Sequence, residues 1–417
     1  MDRILTTHVG SLLRPEALKA DLIAQASGSA YDDEAFQSRL RADVAEVVRS
    51  QVATGLDVVD DGEFGKLSWL TYIYNRVRGV EPRKIAYSRA DMLALIPPGL
   101  ADRIPRGPSG LDPVASGEID LFKEMYRWVS FVAATDRHET AYSTGGEGIG
   151  WACTGPVSYD PAETAIQLAT LRQAAGAAGI EPGRVFVPAV SPVSLYYYVN
   201  EYYDSDEAFA FAMAEVLAQE YRMIVDAGFV LHVDDAVLWH KFATFRMSGA
   251  SEQDYAAWAI PRIEALNHAL DGIPQERVRY HICSGSGHST KVFDPTLAEI
   301  LPYVLRVNWG MLLFEQANVV HEHEWTVWQD AKLPEGRVLV PGVVTHHTHM
   351  VEHPELVAQR LVRLANLVGR DYVMAGTDCG FAQSSYIART DSWTQWAKLR
   401  SLVEGAQLAS RRLWNGG

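Results

Sequence analysis

Apolar runs that end in polar residues recur along the 417-residue chain, with helical segments between them. Residues 56–59 run into Asp60-Asp61-Gly62-Glu63, residues 185–190 into Ser191-Pro192, and residues 229–233 into Asp234-Asp235. Residues 278–283 close on a His and a Cys, residues 338–344 lead into His346-His347-Thr348-His349, and residues 372–375 into Thr377-Asp378-Cys379-Gly380. A continuous apolar run suits a parallel strand covered on both faces, and its alternation with helices predicts βα units. Strands near residues 5, 59, 187, 231, 280, 306, 341 and 374 make eight. The sixth is read over 304–307, extending or restarting to reach Glu315. Eight such units predict an α/β fold, a (β/α)8 TIM barrel, whose strand ends share one mouth.

The intervening helices are expected over 33–54, 160–179, 205–227, 252–270, 295–301, 354–368 and 393–413. The second of these has Asp160, Pro161 and Glu163 where an N-cap, N1 and N3 want them. The rhythm breaks over 80–140, where Pro97-Pro98, Pro105, Gly107-Pro108 and Gly110 predict an inserted lid or arm on a single barrel domain spanning 1–417.

Composition narrows the class of function. A net charge of −15 argues against nucleic acid and anionic membranes, because phosphates need a basic stripe. No apolar run reaches the length of a membrane span. The opening Met1-Asp2-Arg3-Ile4-Leu5 has no leader pattern, so a cytoplasmic location is expected. With only Cys153, Cys283 and Cys379, a disulfide framework is not expected. Cys153 reads as a small buried apolar residue.

Alternate residues of a strand share a face, so His281 and Cys283 emerge side by side at a strand end. An imidazole beside a thiol is a pairing that suits zinc. The barrel layout brings Glu315 and Cys379 to the same mouth, completing a set of two thiolates, one imidazole and one carboxylate.

These residues and their order resemble the catalytic barrel of cobalamin-independent methionine synthase and its single-barrel relatives, including epoxyalkane:coenzyme M transferases. His281-Ile282-Cys283, Glu315 and Asp378-Cys379-Gly380 match that family's zinc ligands. Thr7-His8-Val9-Gly10-Ser11 resembles the loop whose Ser holds the substrate's acid group. Asp61-Gly62-Glu63 resembles the turn whose Glu meets the substrate's amine, and Val233-Asp234-Asp235 the strand end with a substrate-contacting Asp at 234. Ser191-Pro192-Val193-Ser194 resembles the family's Gly-Pro-Val-Thr turn, and Thr154-Gly155-Pro156 is taken as a decoy of it.

The resemblance implies Zn2+ as cofactor and a zinc-dependent alkyl or methyl transfer to a small thiol. The larger members' second barrel, used for polyglutamyl folate, has no room here. The implied donors are therefore a methylated small molecule or a corrinoid protein, and a homo-oligomer is expected. An epoxide-opening thiol transferase or lyase of coenzyme M type is an alternative that needs Arg14, Lys66 or Lys291 to face the mouth. A zinc hydrolase is a third, suggested by the histidines at 346, 347 and 349. Alternation places His347 and His349 on one face, where they are read as proton-handling residues beside Glu63 and Asp234. Trp69 and Tyr72 are expected at the substrate entrance, and His321 and His323 in a loop without a direct part.

Overall fold

A computed structural model describes residues 2–86, 147–195, 198–247, 249–285, 294–385 and 388–414. Most of the expected insertion, from residue 87 onward, lies outside the described residues, as does Lys291. Helices α1 (Glu16–Ser27) and α2 (Asp33–Thr54) come first. Asp32 caps α2 by accepting from Ala35 N, and Gly55 at φ 95° ends it. Strand β1 (Val77–Ala86) follows and pairs antiparallel with the 13-residue β2 (Glu147–Tyr159). Then come α3 (Ala162–Ala177), β3 (Phe186–Val190), β4 (Tyr198–Asn200), α4 (Asp206–Asp226) and β5 (Val230–Asp234). The chain continues through α5 (Ala236–Met247), α6 (Glu252–Ala269), β6 (Val278–His281), α7 (Leu297–Val304) and β7 (Met311–Phe314). The last elements are β8 (Val338–Val344), α8 (Pro354–Val368), β9 (Gly376–Thr377) and α9 (Ser392–Trp414).

The parallel wall has six strands in the order β3-β5-β6-β7-β8-β9. Two further segments close it. Val59 bridges Val185, Thr6 bridges Ala375, and Asp57 N and Val58 N both donate to Thr6 O. Six strands and two bridging segments give the eight positions of the barrel. A separate sheet, β1-β2-β4, lies outside that ring of pairing.

Strand alternation then sorts the side chains. In β5, Leu231 and Val233 join the large core packed with the helices, so Val230, His232 and Asp234 face inward. In β6, Tyr280 and Ile282 take the outer side, leaving Arg279, His281 and Cys283 inside. In β7, Leu312 and Phe314 are outer, leaving Met311, Leu313 and Glu315 inside. Phe186, Val230, Leu313, Val340 and Met374 form an apolar floor. Above it Arg279 lies 3.7 Å over the Phe186 ring and donates to Thr7 Oγ1 and His8 O. The polar mouth is the next layer up.

Several expectations are corrected. The sixth barrel strand is Met311–Phe314, and residues 297–304 are helix. Leu297, Ile300, Leu301 and Val304 follow a helical spacing, and Thr296 and Glu299 form a capping box. Strand β6 stops at His281, with Cys283 just past it. The helix after Asp160 begins at Ala162, with Asp160 Oδ1 accepting from Ala162 N. Thr154-Gly155-Pro156, by contrast, sits within β2 and away from a strand-end turn, in keeping with its reading as a decoy. Helices α1 and α5 were not anticipated from the sequence.

Candidate functional site

The β5–β6 register places Asp234 opposite His281. Asp234 Oδ1 therefore meets His281 Nδ1 at 2.7 Å, both groups largely buried. This bond fixes the tautomer and turns Nε2, which has no hydrogen-bond partner among the described residues, away from Asp234. A ring nitrogen of His281 and the sulfurs of Cys283 and Cys379 lie within 4.8 Å of one another. Burial acts to lower the His281 pKa, but the Asp234 charge and hydrogen bond, with Cys379 beyond them, raise it well above the usual value. The Cys283 thiol donates toward Cys379, which holds Cys379 low, at about 5 despite burial, with His281 adding to the effect. The same contact and burial push Cys283 well up.

Glu315 is fully buried beside this trio rather than within it. Its Oε1 accepts from Ser284 N at 3.3 Å, and its Oε2 accepts from Ser284 Oγ at 3.1 Å and Asn318 Nδ2 at 2.9 Å. Asp378, next to Cys379, ties β9 to the loop after β7. Its Oδ1 accepts from Gln316 N and Ala317 N, each at 2.8 Å. A Cβ on Gly342 would lie 2.1 Å from that oxygen, so only glycine admits the carboxylate there. Gly380 lets the same loop close on Ser11, because its Cβ would be 2.0 Å from Ser11 Oγ.

Glu63 is the only non-glycine residue with positive φ among the described residues, at 58°. Two Asx turns hold this strained point: Asp60 Oδ1 accepts from Gly62 N and Asp61 Oδ1 from Glu63 N. Burial, opposed by Lys66 and aided by Asp234, raises the Glu63 carboxyl to about 7. Its Oε2 is buried without a hydrogen-bond partner among the described residues. Arg14 donates to Ala382 O and Glu63 O, and Lys66 Nζ donates to Pro188 O at 2.6 Å.

The remaining expected residues divide. Trp69 is half-buried, its backbone N–H donating to Gln383 O. Tyr72 is buried in the wall, where its hydroxyl donates to Glu220 and accepts from Val190 N. His346 is fully buried, and the half-buried His347 packs on it at 3.8 Å between ring centroids. His349 is 69% exposed, 3.7 Å from Asp391. The shared face expected of His347 and His349 is not formed, because the strand ends at Val344 and alternation ends with it. His321, read from sequence as a bystander, is buried and reaches Ser284 Oγ, Glu324 and Asp294. Gln383 was also missed; its Nε2 donates to Gly380 O and lies 3.9 Å from Cys379 Sγ. Only the tertiary fold marks these two, since neither stands at a strand end.

No family profile matches the chain. It is 26% identical to a methionine synthase of Sulfurisphaera tokodaii over 222 residues, 52% of this chain and 54% of that one. It is 24% identical to the 2-hydroxypropyl-CoM lyase of Xanthobacter autotrophicus over 238 residues, 51% of this chain and 57% of that one. These matches span about half the length of each relative. An uncharacterized Bacillus subtilis protein, YxjG, is 22% identical over 412 residues, covering 95% of this chain and 92% of its own. In fold, the chain matches a B12-independent methionine synthase from Shewanella solved with selenomethionine. The TM-score is 0.67 at 18% identity, with 99% of each chain covered. A Listeria monocytogenes structure follows at TM-score 0.63 and 18% identity, covering 97% of this chain and 98% of that one.

Proposed function

We propose that this chain, a relative of the cobalamin-independent methionine synthase barrel family, is a zinc-dependent transferase that moves an alkyl or methyl group to a small thiol. The observation that carries the reading is the donor set: one imidazole nitrogen without a partner among the described residues, turned from Asp234, and two sulfurs within 4.8 Å of it. Those donors fit zinc, with Glu315 adjacent as the fourth ligand. Zinc there would lower the pKa of a nearby thiol and make thiolate available at neutral pH.

The chain's own groups do the rest. Asp234 holds His281 in its donor tautomer. The unpartnered Oε2 of Glu63 faces a substrate ammonium, and Ser11, pressed against Gly380, faces its carboxylate. His347 handles the proton at the mouth. Sulfur forms a bond to the alkyl carbon as that carbon's bond to its leaving group breaks, the electron pair departing with the leaving group. The apolar floor and closed wall exclude water beneath the reacting atoms.

Epoxide opening by a thiol such as coenzyme M is the second reading, favoured by the 2-hydroxypropyl-CoM lyase relative. Arg14 and Lys66 are committed to carbonyl oxygens, so they offer a sulfonate little. Metal analysis of wild type and Cys379→Ser, with thiol titration of the cobalt(II) form, tests the proposal. The expected result is one zinc per chain, lost in Cys379→Ser, and a cobalt spectrum that changes with thiol. A wild-type chain without bound metal, or a spectrum indifferent to thiol, would overturn it.

A further inference from the structure

The imidazole of His321 is locked on all sides. Its Nδ1 lies 3.0 Å from Glu324 Oε2, and Glu324 is itself fixed by Leu297 N at 3.0 Å. Nε2 lies 3.3 Å from Ser284 Oγ and 3.5 Å from Asp294 Oδ2. Trp239 packs edge-on against the ring at 5.1 Å, and its indole N–H is held by Pro295 O. Carboxylates on both sides outweigh burial and keep the ring cationic, with a pKa of about 10. Its Nε2–H therefore donates to Ser284 Oγ, leaving the Ser284 hydroxyl proton pointed at Glu315 Oε2.

We propose that His321 and Ser284 are positioning residues that restrain the Glu315 carboxylate beside the His281–Cys283–Cys379 trio and weaken its hold as fourth ligand, so that a thiol can take its place. This rests on the zinc reading above. The geometry supports a clamp: Ser284 alone supplies a donor to each Glu315 oxygen, and Asn318 adds a third. Unlike a bond to the far nitrogen of a ligating imidazole, hydrogen bonds into both Glu315 oxygens draw on the lone pairs a metal would use, so the carboxylate competes less well for it. Ser284 follows Cys283 directly, but the groups that hold it come from other parts of the barrel. His321 and Glu324 come from the loop after β7, while Trp239 comes from α5.

Cobalt(II)-substituted protein, titrated with 2-mercaptoethanol and followed by sulfur-to-cobalt absorbance, reads thiol affinity directly. Competition with a chromophoric chelator reads metal affinity. Ser284→Ala and His321→Ala are expected to bind the thiol about fivefold more weakly, the value of one hydrogen bond, while holding metal at least as well as wild type. Ser284→Thr keeps the hydroxyl and restores thiol binding. In a Glu315→Gln background, Ser284→Ala has no further effect. Thiol affinity within about twofold of wild type in Ser284→Ala, or metal affinity that falls with it, overturns the clamp. Should His321→Ala fail to fold, the Ser284 pair decides alone. A wild-type protein that takes no metal, or whose spectrum ignores thiol, instead defeats the zinc reading, so the two failures are distinct.

Discussion

Removing the Asp234 carboxylate tests whether the barrel register was built to present His281. Asp234→Ala deletes the acceptor 2.7 Å from Nδ1 in a pair whose side chains are 1% and 11% exposed. Partners of this kind are worth about 10- to 100-fold in metal affinity, or roughly 1.4–2.7 kcal/mol. Asp234→Asn keeps a neutral acceptor and is expected to lose about tenfold or less. The pH dependence sharpens the test. Against the effect of burial, Asp234 raises the His281 pKa well above its usual value, so a proton competes with the metal in wild type. The alanine variant loses that competition along with the partner. The affinity gap therefore grows as rising pH removes that competing proton and narrows on acidification. Zinc competition against a chromophoric chelator between pH 6 and about 8.5 measures it. Equal affinities at the upper end, or a gap that widens toward acid, would refute the assignment of His281 and Asp234 as ligand and orienter.

Glu63→Gln should stabilise the protein at alkaline pH. The carboxyl titrates at about 7 in the fold against 4.5 unfolded, so its destabilising charge is absent below the lower value and complete above the higher. The melting advantage of the variant should be on the order of 3 kcal/mol near pH 8 and shrink toward pH 4.5; a less stable variant at pH 8 would contradict it. Gly342→Ala places Cβ 2.6 Å from Asp378 N and Cα, atoms that cannot yield, and should cost about 3 kcal/mol and displace Cys379. Gly176→Ala, which meets nothing within 4 Å, is the control and should leave denaturant midpoints unchanged or higher. His349→Ala should leave turnover and stability within about 0.5 kcal/mol of wild type, whereas His347→Ala should slow turnover about 100-fold. Equal effects of the two would remove the distinction drawn from their exposure.

The barrel was legible because its signal is repetitive: each strand is apolar and each stops at a polar residue, so eight weak observations reinforce one another. The failures fall where that signal is locally mimicked. The apolar stretch Val304-Leu305-Arg306-Val307 reads as a strand, but Val304 is the last residue of α7 and 305–307 form the turn after it, while the true strand at Met311–Phe314 is only four residues long. The His281–Cys283 pair was readable because period-two alternation survives two residues past the strand end. The pairing of Asp234 with His281 was not, since it depends on β5–β6 register, a fact no single segment contains. The same holds for Ser284, Asn318 and His321, whose roles arise from loops meeting across the mouth.

The charge balance of the mouth says why these parts belong together. Asp60, Asp61, Glu63, Asp234, Glu315 and Asp378 are all buried at or beneath the strand ends. The cations among them are largely spoken for: Arg14, Lys66 and Arg279 donate to backbone carbonyls, and His321 is shared between Asp294 and Glu324. Burying so many acids without matching cations among the described residues is costly, and the cost surfaces in the raised carboxyls of Asp60 and Glu63, each driven first by desolvation. Packing alone cannot motivate that arrangement, because apolar residues of similar volume would be cheaper. A divalent metal at the thiolates and an ammonium at Glu63 would each neutralise charge where it is most expensive. The strain at Glu63, held at φ 58° by two carboxylate turns, is the backbone's share of the same bargain.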